Sequence, residues 1–388
     1  MNVPAGKRQP ASRAWRADPG AVSIAVCRPH LPRADAVMPY IREIDESRWY
    51  SNHGPLHRRL EHRLAEHADV APSQITLGAN ATAALTATLL ALEPEPASIC
   101  MMPAWTFAAT GQAVLSAGLI PWFVDVEPDT GALSPIAARR LAAAAPGRLG
   151  AVLTVSPFGS PVDVLGWEAF RRDLRVPVVL DGAAAFDTVR GSMIPTVVSL
   201  HATKVIGIGE GAFVVWRDVN GLAAIRDRMN FGFHESREAQ SRGLNAKVSE
   251  YSAAVGLAAL DAWPVMRETY RRVAVEYREA FERCDEIRLQ EGYGDAWVSA
   301  TAIVRVPASR LEPIEDALMH AEIGSRRWWG DGLARHRAFA RYPCAALPVT
   351  EALAASTLGL PCSPDLSAAA VRRVAETCVS ACASQPSL

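Results

Sequence analysis

Lys204 closes the run Ser199-Leu200-His201-Ala202-Thr203-Lys204, between the apolar stretch Thr196-Val197-Val198 and the glycine-rich turn Gly207-Ile208-Gly209-Glu210-Gly211. A lysine held at a strand end against apolar walls loses hydration. Its pKa falls, and the neutral amine can then attack an aldehyde. A second apolar run, Val178-Val179-Leu180, ends in a carboxylate, Asp181. An amine and a carboxylate at adjacent strand ends are what pyridoxal phosphate chemistry requires. The lysine makes the covalent link to the aldehyde, and the carboxylate keeps the pyridine nitrogen protonated so that the ring accepts electrons.

Three further segments suit that chemistry. Gly78-Ala79-Asn80-Ala81-Thr82 follows an apolar strand and opens an alanine-rich helix. Small residues let the backbone approach an anion, and a helix start offers free N–H groups and the positive end of a dipole. Asn80 suits the cap position, and the Thr82 hydroxyl can add a donor. Pro103-Ala104-Trp105-Thr106-Phe107 follows the next strand, and an aromatic ring there can stack on a pyridine. Phe107 is the first choice and Trp105 the reserve. Ser199, five residues before Lys204, can donate to a phosphate. Taken singly, these are a capped helix, a core aromatic, a turn aspartate and a surface lysine. Their order along the chain is what points to one site.

The elements that must position these residues are short apolar runs bounded by Gly, Pro or Asp. Ile75–Leu77, Ser98–Met102, Leu119–Val124, Ala151–Val155, Val176–Leu180, Thr196–Leu200 and Ala212–Trp216 are predicted strands. Helical patterns lie between most of them, at Leu56–Glu66, Ala81–Leu92, Phe107–Ala117, Pro135–Ala145 and Val164–Asp173. Such alternation predicts an α/β fold, a mostly parallel seven-stranded sheet with helices on both faces. Ligand sites in such sheets lie at the carboxyl ends of the strands, where Asp181 falls and which Lys204 follows. A long helical stretch is expected from near Asn245 toward Cys284, interrupted at Pro264. Beyond it, Trp297–Val306 reads as a strand, Ser309–Ala321 as a helix and Leu366–Ala383 as a terminal helix. The division expected is a flexible tail at 1–20, a large cofactor domain at 21–264 and a smaller C-terminal α+β domain at 265–388.

The totals agree with a globular enzyme. At 388 residues the chain exceeds one ordinary core, and 49% hydrophobic with 21% charged residues argues against global disorder. A formal charge of −1 gives no general attraction to nucleic acid or to anionic membranes. No apolar stretch reaches the ~20 residues of a membrane span. The seven cysteines form no CxxC pair, and Cys378 and Cys382 have no histidines nearby. They read as reduced thiols of a cytoplasmic protein, with no metal site.

Longer motifs resemble the nucleotide-sugar aminotransferase family, the DegT/StrS family of pyridoxal phosphate enzymes. Ser51-Asn52-His53-Gly54-Pro55-Leu56 with Leu60-Glu61 is similar to its "TNxGPL…fE" entry motif. Gly78 to Leu85 resembles its phosphate loop, and Pro103 to Thr110 its "PsfTfvAT" motif. Val124 to Thr130 resembles "fvDvdpdT", Ser199 to Gly211 "SfhatKxlgxGEGG", and Asn245 to Ala254 "NxrmsExxAA". The resemblance spans about Ser23 to Leu366 and implies the aspartate aminotransferase-like fold.

It also implies roles. Lys204 would carry the cofactor, Asp181 would pair with its ring nitrogen, and Phe107 would stack on it. Ala81 and Ser199 would contact the phosphate, with Thr82 added. Asn230, in Arg228-Met229-Asn230-Phe231-Gly232, matches a segment that reaches the phosphate of a neighbouring subunit, which implies a homodimer with shared sites. The implied reaction moves an amino group from L-glutamate to a keto-6-deoxyhexose linked to a nucleoside diphosphate. Asn52 and His53 would face that substrate. Ser325-Arg326-Arg327-Trp328-Trp329-Gly330 and His336 offer cations and flat rings for diphosphate, base and sugar. The "RRWW" run is most similar to enzymes that aminate C4. Four positions depart from the family pattern: Ala184 stands where Gln or His is usual, Phe158 and Ser160 replace parts of "YGq", and Ala212 replaces the second Gly of "GEGG". An aminocyclitol aminotransferase and a non-catalytic regulatory protein of the same fold are the alternatives.

Overall fold

The computed structural model describes residues 23–383, so the tail expected at 1–20 lies outside the described residues. Seven strands form the main sheet: β1 (Ile75–Gly78), β2 (Ile99–Pro103), β3 (Ile120–Val124), β4 (Leu149–Val155), β5 (Val178–Asp181), β6 (Thr196–Ser199) and β7 (Ala212–Val215). Their order is β1-β7-β6-β5-β4-β2-β3, and only β7 runs against the rest. All seven coincide with runs predicted from sequence. Those runs are continuously apolar because both faces of the sheet are covered.

Alternate side chains along one strand enter different cores. Cys100 and Met102 of β2 pack in one cluster, Ile99 and Met101 in another. The first cluster holds α3 (Ala81–Ala91), α4 (Ala108–Ser116) and α7 (Val219–Met229). The second holds α5 (Pro135–Ala142) and α6 (Val164–Leu174). At the β1 end, Ile75 and Leu77 pack with α1 (Ala34–Ser47), α2 (Pro55–Ala68) and α8 (Glu250–Phe281).

Past α8 a second, antiparallel sheet runs β10-β9-β8, from β8 (Arg288–Leu289), β9 (Ala302–Arg305) and β10 (Thr357–Leu360). Helices α9 (Ala308–His320), α10 (Pro348–Ser356) and α11 (Ala368–Ala383) accompany it.

The structure corrects the expected break at Pro264, since α8 runs through that proline without interruption. An interior proline costs about 3 kcal/mol. Trp263, Tyr270, Val273, Ala274 and Tyr277 all enter one core across that point. Each large side chain buried contributes about 1.5–3 kcal/mol, so the sum exceeds the cost. The helix also starts at Glu250 rather than near Asn245. Ser249 caps it by accepting from Ser252 N, while Ala246 O is already bonded to Ala79 N at 2.7 Å.

Candidate active site

Sheet register brings the strand-end residues together. Asp181 pairs with Val155 on one side and Val197 on the other. Ser199, two residues further along β6, lies opposite Ala212, which lies opposite Gly78 on β1. Strands are spaced about 4.8 Å apart, so Gly78, Ser199 and Asp181 end within about 15 Å of one another on one edge.

Asp181 is 5% exposed. Thr110 Oγ1 donates to its Oδ2 at 2.7 Å, and Ala183 N–H donates to Oδ1 at 3.1 Å. Burial pushes its carboxyl above the usual carboxylate range, while Thr110, Ala183 and the Lys204 charge pull the other way. Lys204 is the reciprocal case. Burial holds its amine below the ordinary lysine range, and the charges of Asp181 and Cys27 oppose that. The Lys204 loop is tied by Lys204 N to His201 O at 2.8 Å, Ala202 N to Gly209 O at 2.8 Å and Ile208 N to Leu200 O at 2.9 Å. A Cβ at Gly207 would sit 2.8 Å from Ala202 O, so this closure needs glycine.

At the start of α3, Asn80 Oδ1 accepts from Ala83 N at 2.8 Å. The N–H groups of Ala81 and Thr82 lie too early in the helix for internal partners, which leaves an anion cradle beside β1. Phe107 sits at the cap position of α4 with 59% of its surface exposed, an unusual share for such a ring.

Asn52 and His53 both have left-handed backbones, φ 62° and 59°. The buried Glu250 carboxylate anchors the helix after them, accepting from Leu56 N at 2.7 Å and His57 N at 2.9 Å. A Cβ at Gly54 would fall 2.5 Å from that carboxylate carbon, so glycine is required for the approach. His53 Nδ1 lies 3.1 Å from His57 Nε2, which lies 3.3 Å from Glu61. Burial, then the neighbouring His57, lowers the His53 pKa to about 4. Asn230 lies opposite Asn245, and the Lys247 amine bonds both, at 3.1 and 2.8 Å, over the Phe231 ring.

The loop from Ser325 to His336 divides its residues. Arg327 is committed to Glu315 of α9, with Nε 2.9 and 3.1 Å from its two oxygens. Arg326 has no carboxylate partner among the described residues. Its guanidinium lies over Trp328, and its charge acts on Cys27, the thiol that also feels Lys204. Trp329 stacks on Phe158 with centroids 4.0 Å apart and meets the Trp105 edge at 5.3 Å. Trp105, the reserve choice for ring stacking, is thus buried in that aromatic cluster. His336 is exposed on the far part of the loop. Ala184, the departure next to Asp181, packs its carbonyl against Gly159, beside Phe158 and Ser160.

Three residues that sequence reasoning left without a role are prominent here: Thr110, Glu250 and Cys27. Thr110 lies in the first turn of α4 and Thr106 just before its cap, so the two hydroxyls meet across the start of the helix. Glu250 and Cys27 act through tertiary contacts that no local pattern encodes.

A sequence profile of the DegT/DnrJ/EryC1/StrS aminotransferase family matches residues 33–379. The chain is 28% identical over 343 residues to protein Rv3402c of Mycobacterium tuberculosis, covering 85% of this chain and 83% of the relative. It is 31% identical over 246 residues to the dTDP-4-amino-4,6-dideoxy-D-glucose transaminase of Escherichia coli, covering 61% and 64%. The structure of DesI, determined in the presence of its TDP-sugar product, superposes with a TM-score of 0.84 at 31% identity, covering 93% of each chain. A depressed amine, a buried carboxylate, an open helix start and an exposed ring along one sheet edge fit a phosphorylated pyridine aldehyde. The chain belongs to the DegT/DnrJ/EryC1/StrS aminotransferase family, and its cofactor is pyridoxal phosphate.

Proposed function

We propose that this aminotransferase moves an amino group from L-glutamate to C4 of a nucleoside-diphosphate-linked keto-6-deoxyhexose. The observation that carries the reading is the joint burial of Lys204 and Asp181, each acting on the other's charge, at the carboxyl ends of neighbouring strands. The E. coli relative is named for a dTDP-linked 4-amino-4,6-dideoxyhexose, and DesI was solved with a TDP-sugar product. Both support a nucleotide-linked sugar, and the name of the E. coli relative supports the C4 position. Glutamate as donor follows from the family resemblance.

When bound, pyridoxal phosphate supplies an electron-accepting ring that stabilises negative charge on the substrate carbon. Lys204 would hold the cofactor, and its free amine would serve as the general base and acid that takes and returns the proton at the substrate carbon. The depressed pKa suits that task, because a neutral amine can take a proton near neutral pH. Asp181 would pair with the ring nitrogen and keep it protonated, and Phe107 would stack on the ring. Asn80, Ala81, Thr82 and Ser199 hold the phosphate, and Asn230 is offered to the phosphate of a second subunit in a homodimer. Arg326, with Trp328, Trp329 and His336, binds diphosphate, base and sugar, and Asn52 and His53 line the entry; Arg327, expected among them, is instead held by Glu315. The site lies between a large domain at 21–264 and a small one at 265–388. All seven cysteines are free thiols, which supports a cytoplasmic location.

The test is an assay with L-glutamate and a panel of nucleotide-linked ketosugars, read as amino sugar by mass spectrometry. A 4-keto-6-deoxyhexose linked to a nucleoside diphosphate is expected to be aminated. Amination of an inosose with none of the nucleotide-linked ketones would overturn the reading.

A further inference from the structure

We infer that Thr106 and Thr110 are positioning residues: a chain of two hydroxyls holds Asp181 in the orientation and charge state that its partner on the cofactor ring demands. The inference rests on the reading of Asp181 as that partner.

Both threonines are buried, at 2% and 0% exposure. Thr106 lies between β2 and α4, and Thr110 one helical turn later. Thr106 Oγ1 is 2.8 Å from Thr110 Oγ1, which is 2.7 Å from Asp181 Oδ2. An ionised carboxylate only accepts, so the Thr110 proton is committed to Asp181. Thr110 can then only accept from its neighbour, so the Thr106 proton points to Thr110. The direction of the whole chain follows from the charge at its end.

Hydrogen bonds in series polarise one another, which strengthens the last one. Burial favours the neutral acid, and each donated hydrogen bond favours the carboxylate. Ala183 N–H serves Oδ1 while Thr110 serves Oδ2, so both oxygens are steered and each keeps a lone pair. If Asp181 were protonated and donated a hydrogen bond to Thr110, the chain would reverse. Thr106 would then need an acceptor, and no other acceptor for its hydroxyl is found among the described residues. The same turn carries Phe107, whose carbonyl accepts from Thr110 N at 3.2 Å. The segment from Thr106 to Thr110 thus carries Phe107 and also holds the Asp181 carboxylate.

The experiment compares Thr110→Val, Thr110→Ser, Thr106→Val and Asp181→Asn as purified proteins. Pyridoxal phosphate is the probe. The readouts are its dissociation constant, the pH titration of its visible band and the melting temperature of the cofactor-free protein. Thr110→Val is expected to weaken cofactor binding by about tenfold, the scale of a lost hydrogen bond to a buried charge, and to shift the titration. Thr110→Ser is expected to restore both, and Thr106→Val to act in the same direction less strongly. Wild-type binding and titration in Thr110→Val would overturn the inference. So would equal impairment of Thr110→Val and Thr110→Ser, which would mark a role of shape alone. If Asp181→Asn also binds and titrates as wild type, the reading of Asp181 itself fails.

Discussion

The strand-end edge and the loop from Ser325 to His336 both concentrate residues able to do chemistry, and they are built on different terms. At the edge, Asp181, Ser199 and the helix start after Gly78 are placed by sheet register, with two strands flanking β5 and β6 and β7 flanking β1. In the loop, adjacent residues part company. Arg326 lies over Trp328, Arg327 pairs with Glu315, and Trp329 closes an aromatic stack against Phe158. A rigid ladder converts sequence order into spatial order. A loop leaves each side chain to find its own partner, so neighbours in sequence are not neighbours in function.

The sharpest way to break this contrast is Lys204→Ala. It is expected to lower turnover by about 10³-fold or more, because both the attachment point and the general base go together. No single substitution in the loop should approach that loss. A loop variant that did would show that chemistry is shared between the two regions.

The next test lies within the loop. Arg326→Ala is expected to raise KM for the nucleotide sugar by about tenfold with kcat largely kept, the mark of lost uniform binding. Arg327→Ala should leave KM near wild type and cost about 1 kcal/mol of stability through Glu315, read as a lower melting temperature. Equal KM effects would erase the distinction drawn between the two arginines.

The smallest effect concerns His53, whose folded pKa is lowered to about 4 from 6.5. The unfolded chain takes up its proton as pH falls through 6.5, while the folded chain waits until about 4. Across that window the unfolded state binds more protons, so stability falls as pH falls and is full above 6.5. Melting temperatures of His53→Gln should decline less than wild type between those pH values. Parallel curves would mean that the ring is solvated rather than desolvated.

Much of the fold was legible because its sheet is buried on both faces. Runs such as Val178–Leu180 are continuously apolar and end on the residue that matters. Alanine-rich α3 and the proline-started α5 announce themselves by cap and periodicity. Pro264 misled because local backbone cost was visible in the sequence while the core under Trp263 and Tyr270 was not. Helix α7 went unpredicted, since Asn220 and Gly221 in its first turn are poor helix formers, yet Asp218 caps it and Leu222 and Ile225 are fully buried. Of the site, Lys204 and Asp181 were readable as strand ends. The bond from Thr110 to Asp181 spans 71 residues, and the Glu250 cap on α2 spans 194, distances at which no local pattern reports.

The chain contains three lysines, Lys7, Lys204 and Lys247, which makes one measurement decisive. Lys247 is a real competitor, since desolvation lowers its pKa as well. Reducing the cofactor-loaded enzyme with borohydride fixes pyridoxal phosphate to whichever amine carries it, and peptide mass mapping locates the adduct. The adduct is predicted on Lys204 alone. An adduct on Lys247 or Lys7, or none at all, would contradict the account.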